Sequence, residues 1–145
     1  MADIVDRATR SRMMAGIGGK NTKPEMLLRR ALHAQGFRFR LHVNSLPGKP
    51  DIVLPKYRAA IHVHGCFWHR HADCRFATTP TTRPDFWSEK FRQNVLRDQR
   101  NVEALVDRGW RVAIVWECNL RRGGEEIDAV AEWLQSGSPT YGSAR

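Results

Sequence analysis

The sequence lacks the features of a membrane-spanning, a secreted or a disulfide-stabilised protein. No apolar run in its 145 residues approaches the roughly 18 residues that a transmembrane helix needs. The N-terminal segment is charged and has no apolar core, so we expect no secretion signal. Its three cysteines are an odd number and cannot all pair with one another, which argues against a disulfide framework. A different role is therefore expected for them.

Acidic residues are also scarce. The chain has 15 acidic and 24 basic residues and a net charge of +9. Residues 20–58 contain nine of the lysines and arginines but only two acids, Glu25 and Asp51. A basic segment around isolated carboxylates favours a polyanion held near a bound cation, with nucleic acid as the first candidate and an anionic membrane surface as the second. A solvated basic face without a partner is the alternative.

The length and the hydrophobic content predict one folded domain. Hydrophobic residues make up 41% of the chain and charged residues 27%, which excludes wholesale disorder. The predicted elements are a helix from the capping box at Thr22 to Gly36, strands over 37–43, 51–54 and 58–63, a long helix over 84–108, a buried strand over 110–116 and a helix over 125–134. This order predicts a small α/β domain with a mixed sheet, and the long helix predicts a crossover into parallel pairing.

The long helix is predicted from a stripe of apolar side chains at helical spacing. These side chains are Phe86, Phe91, Val95, Val102, Leu105 and Val106. Gly109 ends the helix. Residues 1–20 have no clean period and are predicted to form an arm, and residues 136–145 are predicted to form a flexible tail.

Residues 64–84 have no hydrophobic period but are rich in metal-binding side chains. Two cysteines and three histidines lie between His64 and Cys74. Thiolate and imidazole at the spacing C-x4-H-x2-C are compatible with tetrahedral zinc, and Cys118 could supply a fourth ligand. Such a closed site would be structural and would account for every cysteine. The alternative is that the cysteines are reduced core residues and the histidines are solvated.

The remaining histidines fall into three groups. His69 lies between candidate zinc ligands, so its position would be fixed without binding the metal, and a fixed imidazole suits a general base near neutral pH. His62 and His64 alternate along a predicted strand and should lie on one side of it. His33 and His42 have no metal-binding neighbours in the sequence and are expected on the surface.

Two acids are candidates for a catalytic metal site. Asp51 follows Pro50 and begins a hydrophobic strand, a position at which nucleases bind Mg²⁺ to stabilise the phosphorane charge and activate water. The usual acid-x-Lys companion on the next strand is replaced by residues 62–64, His-Val-His, so a turn or cap role is the alternative for Asp51. Glu25 closes the capping box, and that role alone would explain it.

Four segments of the chain closely resemble the very-short-patch repair (Vsr) endonuclease family. They are SLPGKPD (45–51), HGCFWHRH (64–71), TRPDFWSEK (82–90) and GWRVAIVWEC (109–118). The opening ADIVDRATRSRMM is similar to the N-terminal arm of that family, and the similarity extends over about residues 2–122 with order and spacing kept. The resemblance implies a compact PD-(D/E)xK-type nuclease fold over residues 21–135 with a zinc-stabilised insert, preceded by a DNA-contacting arm over 1–20.

The resemblance also implies a reaction. The family nicks duplex DNA on the 5′ side of the thymine in a T·G mismatch, which arises when 5-methylcytosine deaminates, and very-short-patch repair follows. The implied protein is a monomer in the bacterial cytoplasm, associated with the nucleoid. It is expected to bind mismatched double-stranded DNA and to have functional links to a cytosine methyltransferase and to mismatch-repair proteins.

Catalytic roles carry over by position from the resemblance. Asp51, helped by the main-chain carbonyl of Val63, would bind catalytic Mg²⁺. His69 would be the general base, Glu25 would orient metal-bound water, and His64 would help position the phosphate. Val63 stands where the family usually has threonine, a change that a carbonyl ligand tolerates.

Zinc and wedge residues carry over in the same way. The implied structural zinc ligands are Cys66, His71, Cys74 and Cys118. Two residues separate His71 from Cys74, where the family has one. Phe67, Trp68 and Trp87 would form an aromatic wedge that enters the base stack beside the mismatch. The alternative for these aromatic side chains is that they cover the zinc site or join the core.

Two other functions stay open at the level of the sequence. One is a nuclease of the same type with altered or relaxed mismatch and sequence specificity, because flanking-base preference depends on a few groove contacts. The other is a non-catalytic, zinc-stabilised DNA-binding module. A pure binding module would not require Asp51, His69 and Glu25 together, which favours an enzyme.

Overall fold

A computed structural model describes residues 22–142 of the chain. The arm predicted over residues 1–20 lies outside the described residues, as do residues 21 and 143–145. The described residues form a five-stranded mixed sheet flanked by helices, which confirms the predicted α/β architecture. Within residues 22–142, no helix combines the length and the apolar character that a membrane crossing requires.

The helices and strands follow the predicted order, with additional short elements. The helices of residues 22–142 are α1 (Lys23–Ala34), α2 (Cys66–His69), α3 (Pro84–Asp107), α4 (Glu117–Arg121) and α5 (Glu125–Gln135). The strands are β1 (Arg40–Leu41), β2 (Ile52–Leu54), β3 (Ala59–His64), β4 (Arg111–Trp116) and β5 (Thr140–Tyr141), and a 3-10 turn (Pro55–Tyr57) connects β2 to β3.

The sheet has the strand order β1-β2-β3-β4-β5. The first three strands pair antiparallel through short connections, whereas β3 and β4 pair in parallel, with Ala59 opposite Arg111 and His64 opposite Trp116. The chain passes from β3 to β4 through α3, so the predicted parallel crossover is confirmed.

The sheet separates two hydrophobic cores. On one face, β3 and β4 pack with α1 and α5, and on the other face they pack with α3. Ala60 belongs to the α3 side. Because side chains alternate along a strand, His62 and His64 lie on the same side as Ala60, facing α3. The two histidines of β3 are therefore directed toward the long helix.

The helix α1 begins as the capping box predicts. The Thr22 hydroxyl oxygen accepts a hydrogen bond from the Glu25 N–H at 3.4 Å. Leu28 and Leu32 are fully buried under the sheet. Gly36, with φ +95°, adopts the left-handed backbone that follows many helix ends and that glycine accepts without strain.

The buried face of α3 differs from the predicted apolar stripe. Phe91 and Leu105 are buried as predicted, but Phe86 is 48% exposed. Two polar residues, Asn94 and Asp98, are buried instead. Asn94 follows Phe91 by three residues and Asp98 follows Asn94 by four, so all three side chains lie on the face of the helix that is turned toward the sheet.

The predicted strand over residues 37–43 is much shorter in the structure. Only Arg40 and Leu41 pair with β2. His42 has a left-handed backbone with φ +48°, which breaks the alternation of a regular strand. The side chain of His42 therefore does not follow the alternation that a regular strand over 37–43 would impose.

The segment 136–145, for which a flexible tail is predicted, contributes to the sheet. Thr140 and Tyr141 form β5 and pair in parallel with Val112 and Ala113 of β4. The Tyr141 hydroxyl donates a hydrogen bond to a Glu126 carboxylate oxygen at 2.7 Å. Two residues are too few to produce an alternating pattern, so this strand could not be identified from hydrophobicity alone.

Candidate active site and metal centre

Asp51 stands at the start of β2 and faces the neighbouring strand. Its Oδ2 accepts a hydrogen bond from the N–H of Val63 at 2.7 Å, which leaves Oδ1 for another partner. The pKa of Asp51 is raised to about 6, mainly by burial; the hydrogen bond from the Val63 N–H opposes the shift and the nearby Glu25 carboxylate adds to it. A buried carboxylate with a raised pKa gains from a cation close to it.

Glu25 is buried in α1 and does more than close the capping box. Its Oε2 accepts hydrogen bonds from Arg29 and from the His42 Nε2, both at 3.0 Å. The same His42 nitrogen lies 4.0 Å from Asp51 Oδ1. The expectation that His42 is a surface residue is therefore wrong, because the left-handed turn after β1 brings its ring between the two carboxylates. His33, in contrast, is exposed as expected.

His64 and His69 form a second group with a residue that the sequence analysis missed. Their rings stack at a centroid distance of 3.9 Å with an angle of 8° between the planes. His69 Nδ1 lies 2.6 Å from Oδ2 of Asp98, which is buried on α3. The signal for Asp98 was its spacing from Phe91 within the helix, which places it on the buried face.

Burial sets the charge of the histidines on β3. It lowers the pKa of His64 well below its ordinary value, and the charges of His69 and His62 lower it further. Burial also lowers the pKa of His62 to about 4, although the Asp98 carboxylate acts in the opposite direction. Both rings are therefore neutral at neutral pH, so the stack with His69 does not bring two positive charges face to face.

The three cysteines converge on one histidine. The four predicted zinc ligands Cys66, His71, Cys74 and Cys118 each offer a ligand atom within 4.8 Å of the others. His71 Nδ1 lies 3.6 Å from the Cys66 sulfur and 3.4 Å from the Cys118 sulfur. Its ring is held by stacking on Trp116 at 4.2 Å.

The additional residue between His71 and Cys74 is accommodated locally. Asp73 adopts a left-handed backbone with φ +56°, which folds the longer connection back toward the cluster. Burial raises the pKa of the Cys66 thiol to about 12, so a thiolate at this position needs a compensating positive charge. Three unpaired cysteines around one imidazole form a donor set that fits a tetrahedral soft cation.

The predicted wedge residues lie together. Phe67 and Trp68 on α2 have ring centroids 4.9 Å apart, and each is 5.9 Å from Trp87 at the start of α3. All three rings are half-buried. Phe67 and Trp87 contact Phe91, at ring-centroid distances of 5.2 and 5.6 Å, and Phe91 belongs to the buried face of α3.

Arg70 fastens the segment that carries these aromatic side chains. Its guanidinium donates hydrogen bonds to the carbonyl oxygens of Phe67, Ala77 and Thr78 at 3.2, 3.0 and 2.8 Å. The same group lies 4.0 Å from the ring centroid of Phe91. This role of Arg70 cannot be predicted from the sequence, because the acceptors are main-chain atoms.

One cavity brings together three of the four predicted catalytic residues. It has a volume of about 840 Å³, and its walls include Asp51, His64, His69 and Asp98 but not Glu25, which is buried in α1. Lys49 and Arg97 line it as well and give it positive charge. A cavity with carboxylates, a positioned imidazole and basic side chains is suited to a phosphodiester and a divalent cation.

Comparison with known proteins gives a consistent result. The family profile described as DNA mismatch endonuclease Vsr matches residues 2–75. The DNA mismatch endonuclease Vsr of Escherichia coli (strain K12) is 47% identical over 137 residues, which cover 93% of this chain and 86% of that protein. The type II nicking enzyme V.XorIIP of Xanthomonas oryzae pv. oryzae is 49% identical over 120 residues, covering 83% of this chain and 88% of the relative. The type II nicking enzyme V.NmeAIP of Neisseria meningitidis serogroup A is 45% identical over 121 residues, covering 83% and 86%.

Proposed function

Because the chain belongs to the Vsr family of DNA mismatch endonucleases, we propose that it nicks duplex DNA on the 5′ side of the thymine in a T·G mismatch. The nick would initiate very-short-patch repair after 5-methylcytosine has deaminated. The observation that carries the proposal is the shared cavity of Asp51, His64, His69 and Asp98. In this proposal the substrate of the protein is double-stranded DNA. The protein acts as a monomer and has functional links to a cytosine methyltransferase and to mismatch-repair proteins.

The residues around Asp51 fit a divalent cation. Asp51 Oδ1 and the main-chain carbonyl of Val63 are hard oxygen ligands of the kind that Mg²⁺ prefers. Mg²⁺ bound there would offset the charge that develops on the scissile phosphate and activate the attacking water. Glu25, held by Arg29 and His42, orients water beside this position.

His69 acts as the general base in this proposal. Asp98 Oδ2 accepts the Nδ1–H of His69 at 2.6 Å, which fixes the tautomer and leaves Nε2 free to take a proton from water. The neutral ring of His64, stacked on His69, restrains the rotation of the base and helps position the phosphate. Lys49 and Arg97 attract the DNA backbone to the cavity.

The metal cluster and the aromatic group have separate tasks. Cys66, His71, Cys74 and Cys118 hold a structural zinc ion, which ties the insert to the end of β4. Phe67, Trp68 and Trp87 form a wedge that enters the base stack, because a mismatched pair is easier to unstack than a matched one. The domain over residues 21–135 is a compact PD-(D/E)xK-type nuclease with this zinc-stabilised insert, preceded by a DNA-contacting arm over residues 1–20.

A second candidate is a nuclease of the same chemistry with a different or broader recognition sequence. The names of two relatives, both type II nicking enzymes, favour it. Flanking-base preference depends on a few side chains in the grooves and can change while the catalytic residues are kept.

A cleavage panel tests the proposal and separates the two candidates. Labelled duplexes would contain each possible mismatch and the matched pairs, in several flanking sequences, with and without 5-methylcytosine. The zinc-loaded protein would be desalted and assayed with and without added Mg²⁺, since a chelator would also remove zinc. We expect a Mg²⁺-dependent nick 5′ to the thymine of T·G. Nicking of T·G in unrelated flanking sequences would favour the second candidate, and equal cleavage of matched DNA would overturn mismatch specificity.

A further inference from the structure

His42 occupies a position that hydrogen bonding to Glu25 does not fully explain. Its Nε2 is 3.0 Å from Glu25 Oε2 and 4.0 Å from Asp51 Oδ1, so one nitrogen faces both carboxylates. Glu25, His42 and Asp51 each offer a ligand atom within 4.8 Å of the others. The three residues come from α1, the segment after β1 and the start of β2.

The backbone around His42 fixes the ring in this place. The His42 N–H donates to the Asp51 carbonyl oxygen at 3.0 Å, which joins the two residues through the main chain as well. The left-handed conformation of His42, with φ +48°, is uncommon outside glycine and persists where surrounding contacts hold it. The side chain is only 16% exposed.

The separation of the two ligand atoms fits a small divalent cation between them. Ligand oxygens and nitrogens lie about 2.0–2.1 Å from Mg²⁺ and slightly farther from larger divalent ions. His42 Nε2 and Asp51 Oδ1 are 4.0 Å apart, close enough for both to hold one such ion. Arg29 would continue to hold Glu25 beside it.

We propose that His42 Nε2 is a direct ligand of the catalytic divalent cation together with Asp51 Oδ1, so that the site has a mixed nitrogen and oxygen ligand set. The proposal rests on the cation site of the proposed function and adds a ligand to it. When the cation binds, the proton of the neutral ring resides on Nδ1, and the lone pair of Nε2 points to the ion. Without the cation, the same nitrogen donates to Glu25.

A nitrogen ligand changes which metals the site prefers. Carboxylate and carbonyl oxygens suit Mg²⁺ and Mn²⁺, whereas imidazole suits Ni²⁺ and the other later transition metals. The site should therefore bind Ni²⁺ in preference to Mg²⁺ by a wider margin than an all-oxygen site. This preference depends on His42 and not on the cysteine cluster, provided that the cluster is filled with zinc.

Electron paramagnetic resonance of bound Mn²⁺ tests the ligand directly. The zinc-loaded full chain would be titrated with Mn²⁺, and spin-echo modulation from a coordinated imidazole nitrogen would be recorded. The variants are His42→Gln, Asp51→Asn and, as a matched control, His33→Gln, which replaces an exposed histidine. Glutamine at position 42 can still donate a hydrogen bond to Glu25 but supplies no imidazole nitrogen, so it separates ligation from mere positioning.

The outcomes distinguish the ligand role of His42 from the existence of a cation site at Asp51. We expect nitrogen modulation in the parent protein and in His33→Gln, its loss in His42→Gln, and loss of bound Mn²⁺ in Asp51→Asn. If Mn²⁺ binds in an Asp51-dependent way but the modulation is absent or survives His42→Gln, the ligand role of His42 is wrong and the proposed cation site stands. If no Asp51-dependent Mn²⁺ binds, the cation site and the ligand role both fall.

Competition gives a second readout that does not depend on activity. Ni²⁺ and Mg²⁺ would each be used to displace the bound Mn²⁺ from the parent protein and from His42→Gln. We expect the preference for Ni²⁺ over Mg²⁺ to fall by about tenfold or more in the variant, because the nitrogen ligand is lost. An unchanged preference would overturn the proposal.

Discussion

His69 Nδ1 and Asp98 Oδ2 lie 2.6 Å apart and join the short helix α2 to the long helix α3. The contact bridges 29 positions of the sequence. It ties the orientation of His69, the proposed base, to a helix that is packed against the sheet. The ring of His64 stacks on the ring of His69. The direction of His69 is therefore set by its contact with α3 and not by the segment 64–84 alone.

Replacing Asp98 tests this positioning. In Asp98→Asn the carboxylate no longer fixes the Nδ1–H tautomer, so we expect kcat to fall by about 10²- to 10⁴-fold, the range of a positioned general base, with little change in DNA affinity. Asp107→Asn removes an exposed acid from the same helix and should keep the parent rate. Single-turnover nicking and DNA binding of both variants are the measurements, and a parent rate for Asp98→Asn would contradict the role.

The cysteine cluster predicts one bound zinc ion per chain, since three thiolates and an imidazole fill a tetrahedral site. Cys118→Ser should lose zinc and lower the melting temperature, because metal binding contributes to folding. Asp73 lies between two of the proposed ligands and has a left-handed backbone, which asparagine also adopts. The control variant Asp73→Asn should therefore keep zinc. Elemental analysis and thermal unfolding measure both effects. Active parent protein without zinc would exclude the structural zinc.

The wedge predicts a selective loss on mismatched DNA. Trp68→Ala should lower the ratio of mismatched to matched cleavage by roughly ten- to hundredfold, corresponding to about 1–3 kcal/mol of stacking, with zinc retained. Phe76→Ala, which truncates an aromatic side chain that is 43% exposed in the same segment, serves as the control and should leave the ratio unchanged. If Trp68 only covers the zinc site, the variant would lose metal and stability while its ratio stays at the parent value.

The burial of His62 on β3 predicts a pH dependence of stability. Burial lowers the pKa of His62 from its ordinary value of 6.5 to about 4. Between these values the unfolded chain binds a proton that the folded chain does not, so the folded state loses stability as the pH falls through this range. His62→Leu removes this contribution, while that of the buried His64 stays the same in parent and variant. From pH 7.5 to 5.5 we expect the free energy of unfolding of the parent to fall by about 1 kcal/mol more than that of the variant, as measured by urea unfolding. Parallel pH profiles would contradict it.

The sequence predicts the elements that depend on local signals. Thr22 begins α1 because a side-chain cap acts within one turn, and the apolar run of β4 indicates a strand covered on both faces. The four candidate metal ligands can be grouped from the sequence, because three of them lie close together in the chain and Cys118 is the remaining cysteine.

The residues that the sequence analysis missed depend on long-range or irregular geometry. His42 has no metal-binding neighbour in the sequence, and only the left-handed turn after Leu41 brings it to Glu25 and Asp51. Asp98 is buried on α3, but a stripe defined by hydrophobic residues alone does not include it. A buried polar residue at helical spacing from Phe91 is the signal that this assignment passed over.

We propose that Asp51 supports metal-dependent nicking at the mismatch. The most direct measurement is single-turnover nicking of a T·G duplex and its matched counterpart with added Mg²⁺, by the zinc-loaded parent, by Asp51→Asn and by the control Asp107→Asn. We expect a Mg²⁺-dependent nick 5′ to the thymine for the parent and the control, and none for Asp51→Asn, which should still bind the DNA because affinity comes mainly from phosphate contacts. Nicking by Asp51→Asn at the parent rate would contradict it.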